Sequence, residues 1–277
     1  YDIVQALPAG KAKGIDVWSA AELKALPSRA YEDLAAVLTQ VEAEGRWPEG
    51  LTGAIVTLLP KKSSHDPMAQ RPISLLPMVY RLWAAARGAQ LKSWIATKGH
   101  GSAWGFGQGR GADTAAWVGA AQSEVAAAGG GHSFGAFVGC EKWYDHVSLH
   151  RLRCEGIAHG LAPLVGLATA QYAGARRIRW AGAIGRAVTP QYGIPAGCPL
   201  ANGLLHLYLH TAMSNTQNDA KPASLRTYVD DWRLFAAGRR AQAAKAIVAA
   251  FREASVQLRQ TGMVVSNTKS VLLASGT

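Results

Sequence analysis

Residues 224–236 read Ser-Leu-Arg-Thr-Tyr-Val-Asp-Asp-Trp-Arg-Leu-Phe-Ala. Apolar and aromatic residues run up to two adjacent carboxylates and resume directly after them. That order predicts strand, tight turn, strand, with Asp230 and Asp231 at the tip. Like charges side by side are unfavourable unless neutralised, and a hard divalent cation with oxygen ligands does this. Aspartate is also a common turn residue, so from this stretch alone a plain solvated turn is the competing reading.

The formal net charge of +11 and the isoelectric point of about 9.8 favour a polyanionic partner, nucleic acid first and an anionic membrane surface second. Only 17% of residues are charged, so the excess is spread along the chain and not gathered in a basic tail. Hydrophobic residues make up 49%, which excludes a mostly disordered chain, and 277 residues suffice for one large domain or two lobes. Cys140, Cys154 and Cys198 show no metal-ligand spacing, so a reducing intracellular compartment is expected, nuclear or cytoplasmic alike. No secretory signal stands out, and the longest apolar run, about Leu200–Met213, is broken by Asn202, Gly203, His206 and His210. A chain that begins at Tyr1 is expected to be a fragment.

In chain order, helices are expected between Asp16 and Gly50, with a Ser19–Glu22 capping box, a second start capped by Ser28 and a C-cap at Gly45. Leu51–Pro60 and Arg71–Leu76 read as strands joined by a basic turn, 61–67. Lys61, Lys62 and Arg71 on such a flap suit a triphosphate, against the plainer reading of a solvated hairpin. A helix follows from about Val79 to Ile95, then a glycine-rich connector over 98–111 that lacks the features of a phosphate loop, then a helix over Asp113–Ala128. Ser133–Val138 reads as a strand, and a helix starts near Ser148, with breaks expected at Gly156, Gly160 and Pro163. Arg176–Trp180 is a basic strand ending in an aromatic residue, suited to nucleic-acid contact or to protecting a sheet edge. Gly193, Pro195, Gly197 and Pro199 make a rigid extended loop that runs into an apolar helix near Ala201. A basic, alanine-rich helix over Gly238–Leu258 and two short strands around an Asn-Thr-Lys turn in Gly262–Leu273 close the chain.

Taken together, these motifs resemble the reverse transcriptase domain of non-LTR retrotransposons and group II intron-like retroelements. Leu58–Lys62 and Arg71–Leu76 look like the fingers hairpin, Glu141–Val147 like the tail of the first palm carboxylate motif, Gly193–Leu200 like the template loop, Tyr228–Asp231 like the catalytic hairpin, and Gly262–Leu273 like the lysine motif that follows. The resemblance implies an α+β right-hand polymerase, with fingers and palm, an antiparallel palm sheet packed on helices, and a thumb that lies beyond Thr277. Residues 1–132 would form N-terminal helices and fingers and 133–277 the palm, with interleaving of the two allowed. It implies an RNA template, a DNA primer and deoxynucleoside triphosphates as partners, no membrane, and two magnesium ions, with manganese as a substitute. By carry-over Asp230 and Asp231 hold metal, and Lys61 or Lys62 with Arg71 grips the triphosphate. Tyr144 is the ring that excludes a 2′-hydroxyl, Gly193, Pro195 and Gly197 touch template and incoming base, and Lys269 is the proton donor to pyrophosphate.

The chain departs from the pattern at two positions. Gly139 stands where the family has a metal-binding aspartate, five residues before the bulky ring, and Ala196 stands where glutamine is usual. Glu141 would share a face with residue 139 if the strand continued, making it a substitute metal ligand. Two functions from different classes therefore remain open, an RNA-directed DNA polymerase and a decayed or repurposed fold that binds nucleic acid without catalysis. An RNA-dependent RNA polymerase is more distant, because of Tyr144 and the Arg71–Ser74 run.

Overall fold

The computed structural model describes residues 1–60, 66, 69–105 and 110–275. Among these the helices are α1 (Asp2–Gln5), α2 (Ala20–Lys24), α3 (Ser28–Glu44), α4 (Met78–Lys98), α5 (Ala112–Ala128), α6 (Leu149–Ala158), α7 (Ala162–Tyr172), α8 (Ala201–Asp219) and α9 (Arg240–Gln260). The strands are β1 (Ala54–Leu59), β2 (Arg71–Leu75), β3 (Ala103–Trp104), β4 (His132–Val138), β5 (Arg176–Trp180), β6 (Ala183–Val188), β7 (Ser224–Tyr228), β8 (Asp231–Gly238) and β9 (Val271–Ala274). The fold is a mixture of helix and sheet, divided into two compact units that alternate along the chain: 1–91 with 148–204, and 92–147 with 205–277. No helix among the described residues is long and apolar enough to cross a membrane.

The first unit carries a four-stranded sheet in the order β2-β1-β5-β6. β1 and β2 pair antiparallel, with Leu59 opposite Arg71, so the strand–turn–strand expectation for 51–76 holds. β5 pairs parallel with β1 and antiparallel with β6, which makes it an interior strand. The edge-protection reading of Arg176–Trp180 therefore fails, because the following residues turn back as β6 and take the edge themselves. The unit also holds an aromatic core in which Trp47 meets Tyr80 and Trp83 edge-on, with ring centroids 5.6 and 5.4 Å apart. Ser19 and Glu22 form the expected capping box on α2. Ser28 does not cap α3: Pro27, extended at φ −67° and ψ 155°, takes the N-cap, where its missing N–H costs nothing. Gly156 does not break α6 either; it is buried where a Cβ would stand 2.7 Å from Cβ of Val165, so its lack of a side chain lets α6 and α7 pack closely.

The second unit is built on a five-stranded sheet in the order β3-β7-β8-β4-β9. β8 alternates in burial, with Trp232, Leu234 and Ala236 buried and Asp231, Arg233 and Phe235 on the other face. The buried face packs on α9, whose Ala243, Ile247, Ala250, Ala254 and Leu258 recur at helical spacing. Only one strand, β9, forms in the closing segment; where a second was expected, Val265 makes a single bridge to Cys140. Residues 266–269 turn too soon after that bridge for a ladder to extend, since Ser270 N–H donates back to Ser266 O at 3.1 Å.

Candidate functional site

The hairpin forms as the sequence predicts. β7 and β8 pair antiparallel, Tyr228 and Asp231 close the ladder, and Val229 and Asp230 are the two turn residues. Asp230 is thus at the tip and Asp231 is the first residue of β8. Two-residue hairpins need a residue at positive φ, and Val229 supplies it at +54°. A β-branched side chain is disfavoured there, at a cost of order 1–3 kcal/mol, and such strain gathers at functional sites. Asp230 is half-buried, and burial pushes its carboxyl above the usual range, with the Asp231 charge adding to the effect; a backbone N–H and Lys269 pull the other way.

Three further groups converge on Asp230. The thiol of Cys140 is pushed up to about 12 by burial, with Lys269 opposing and Asp230 adding. The phenol of Tyr144 is likewise pushed up to about 12 by burial and by Asp230. Lys269 Nζ donates to the Cys140 carbonyl oxygen at 3.4 Å. Packing explains the convergence. Trp232 directly follows Asp231, Trp143 directly precedes Tyr144, and their rings stack at 6.3 Å and 28°. Both tryptophans are buried, at 1% and 5% exposure, so one apolar contact ties the carboxylate hairpin to the short 3₁₀ turn Trp143–His146.

The β4–β8 register runs from His132–Gly238 to Val138–Trp232, so Gly139 directly follows the strand residue paired with Trp232, next to the hairpin. The surroundings of Gly139 are crowded. Gly139 O accepts from Ser266 N–H at 2.8 Å, and Gly139 N–H donates to Ser270 Oγ at 3.2 Å. A Cβ at 139 would stand 2.6 Å from Lys269 Cβ and 2.9 Å from Lys269 O. The continuing strand on which the substitute-ligand argument for Glu141 depends is absent, because β4 ends at Val138. Its backbone is held by Val264 O at 2.9 Å, and its carboxylate meets Ser266 Oγ at 3.5 Å.

Other expected site residues belong to the first unit. Arg71 starts β2 and is exposed. In the 193–200 loop, Ala196 O accepts from Ser74 N–H at 2.8 Å and Gly193 O accepts from Arg176 Nη2 at 3.0 Å. Pro195 is buried and Gly197 exposed, with φ +101°. The buried thiol of Cys198 anchors the loop, meeting the hydroxyls of Tyr172 at 2.9 Å and Tyr80 at 3.3 Å. Lys61 and Lys62 lie outside the described residues.

The family model described as reverse transcriptase (RNA-dependent DNA polymerase) matches residues 59–276. The chain belongs to that family. No curated protein matches it.

Reverse transcriptases use divalent metal ions, and the donors among the described residues do not make up a two-ion site. Asp230 and Asp231 offer adjacent carboxylates, but position 139 offers only a carbonyl that already accepts from Ser266. Among the described residues no group of three or more His, Cys, Asp or Glu side chains converges to hold a metal. The residue pattern does not signal that Ser266, Lys269 and Ser270 close around position 139, because the contacts join segments about 130 positions apart.

Proposed function

We propose that this chain is a retroelement reverse transcriptase domain, of the non-LTR or group II intron type, that binds an RNA template and DNA primer but transfers nucleotides poorly. The crowded glycine at 139, beside an otherwise assembled carboxylate hairpin, carries this reading. We take the first unit as fingers and the second as palm. In that scheme Arg71, with Lys61 or Lys62, meets the triphosphate of an incoming deoxynucleotide, and the loop containing Gly193, Pro195 and Gly197 meets the template. Tyr144 lies under the sugar, Asp230 and Asp231 supply the carboxylates, and Lys269 gives a proton to the departing pyrophosphate. The loss of one primary carboxylate costs several kcal/mol in transition-state stabilisation, on the order of 10³-fold in rate.

Binding outlives this loss because it depends on different residues. Arg177, Arg179 and Trp180 are exposed on β5, and Arg186 on β6, which suits phosphate contact and stacking on a base. An active polymerase is the second reading, favoured by the grouping of Asp230 with Tyr144 and Lys269.

Fluorescence anisotropy with a labelled RNA–DNA template–primer tests the binding half. The expected result is binding that weakens steeply with salt and is unchanged in Asp230→Ala. Failure to bind the duplex at low salt, by a chain shown to be folded, would sink the proposal.

A further inference from the structure

Arg226 on β7 and Arg233 on β8 are direct cross-strand partners. Like charges in that relation are destabilising, and here no carboxylate within 4 Å relieves them among the described residues. Their contacts are neutral. Arg226 lies 5.0 Å over the Trp104 ring and donates to Gln122 Oε1 at 3.4 Å. Arg233 lies 5.6 Å over Phe137 and donates to Gly119 O at 3.2 Å, while its Nε is buried with no acceptor. The space is shaped around these cations: a Cβ on Gly119 would fall 1.3 Å from Arg233 Nη1.

Arg226 and Arg233 both line a cavity of about 650 Å³ within the second unit, between α5 and the sheet face opposite α9. Alanines of α5 form one wall, Phe137 and Phe235 the other, and Ser133 and Ser275 add hydroxyls. Asp231 lines it too, beyond 4 Å from either guanidinium. The volume suits a small organic molecule. Two adjacent guanidinium groups match the charge of a phosphate monoester, about −1.5 to −2 near neutral pH.

We propose that this cavity binds a small phosphate monoester carried on an apolar body, with Arg226 and Arg233 on the phosphate and the alanine and phenylalanine walls on the body. Because β7 and β8 carry the carboxylate hairpin at their joined ends, such a ligand would bear directly on the strands that hold Asp230. The cavity shares Asp231 with the hairpin given a catalytic role above, and its test is a binding measurement that does not require polymerase activity.

Isothermal titration of the full chain with phenyl phosphate, inorganic phosphate and phenol, at about 0.2 M salt to screen diffuse attraction, is the experiment. Phenyl phosphate is expected to bind, with inorganic phosphate and phenol each weaker by roughly tenfold or more. Arg226→Gln should weaken phenyl phosphate by a similar factor. Ala116→Phe, which keeps both arginines and fills the cavity, should abolish binding, with thermal melting confirming that each variant folds. No binding of phenyl phosphate, equal binding of inorganic phosphate, or binding unchanged in the folded variants would overturn the proposal. Displacement of phenyl phosphate by an RNA–DNA duplex under the same conditions would also overturn it, assigning the arginines to nucleic acid.

Discussion

The two sheets put similar residue types to opposite uses. In the five-stranded sheet, Trp232 is buried, stacks on Trp143, and fixes the hairpin that carries Asp230. In the four-stranded sheet, Trp180 ends β5 at 41% exposure, with Ile178, Ile184 and Val188 also exposed around it. A tryptophan behind the carboxylates is a structural fixture, whereas one beside Arg177 and Arg179 presents a ring to whatever meets the surface. One sheet holds its tryptophan inside, behind a carboxylate hairpin, and the other holds its tryptophan outside, among exposed arginines.

Substitutions separate these roles. Trp232→Ala should cost about 3–5 kcal/mol of folding stability by leaving a core cavity, measured by denaturant unfolding. Trp180→Ala should stay within about 0.5 kcal/mol in the same assay while weakening single-stranded RNA binding by roughly 1–3 kcal/mol. Equal stability losses at the two tryptophans would break the contrast.

Acid should act on the second unit through its buried histidine. His206 is 4% exposed, and burial, with His210 and His100 adding, lowers its pKa to about 3; it accepts from His100 N–H at 3.2 Å. The folded state therefore favours the neutral ring. Its contribution is fully present above the unfolded pKa, about 6.5, and is lost as pH falls from there toward 3. The effect is on the order of a few kcal/mol, and His206→Gln should flatten stability against pH over that window. A parent whose unfolding midpoint stays constant between pH 7 and pH 4 would contradict this.

Gly139→Asp should destabilise the fold by about 1–3 kcal/mol, because its side chain must displace the Lys269 segment. A stabilised variant would show that the 266–270 turn yields easily. The smallest effect expected is that of Arg179→Ala, which should leave stability unchanged and reduce the slope of log affinity against log salt by about 1.

Much of this was legible in the residues. The β7–β8 hairpin, the β1–β2 pair and the α2 capping box follow from short-range rules, alternation of burial and residues that favour turns or caps. The family followed from the order of motifs. What stayed hidden depends on distant packing. Nothing near Arg176–Trp180 announces that β5 pairs in parallel with β1, more than 100 residues earlier, and so leaves the sheet edge to β6. The resemblance singles out Gly139, where an aspartate is expected, but only the closure of Ser266, Lys269 and Ser270 over it shows that a side chain there must displace Lys269. Val229 is unremarkable by type and strained only because a two-residue turn needs positive φ.

The central claim, binding without efficient transfer, is tested most directly by single-turnover incorporation of one deoxynucleotide into an RNA–DNA template–primer already bound to the full chain, with magnesium and then with manganese. Incorporation no faster than in Asp230→Ala, from complexes that form equally well, is the predicted result. Rapid incorporation by the parent that disappears in Asp230→Ala would contradict it, showing a working active site that does without a carboxylate at position 139.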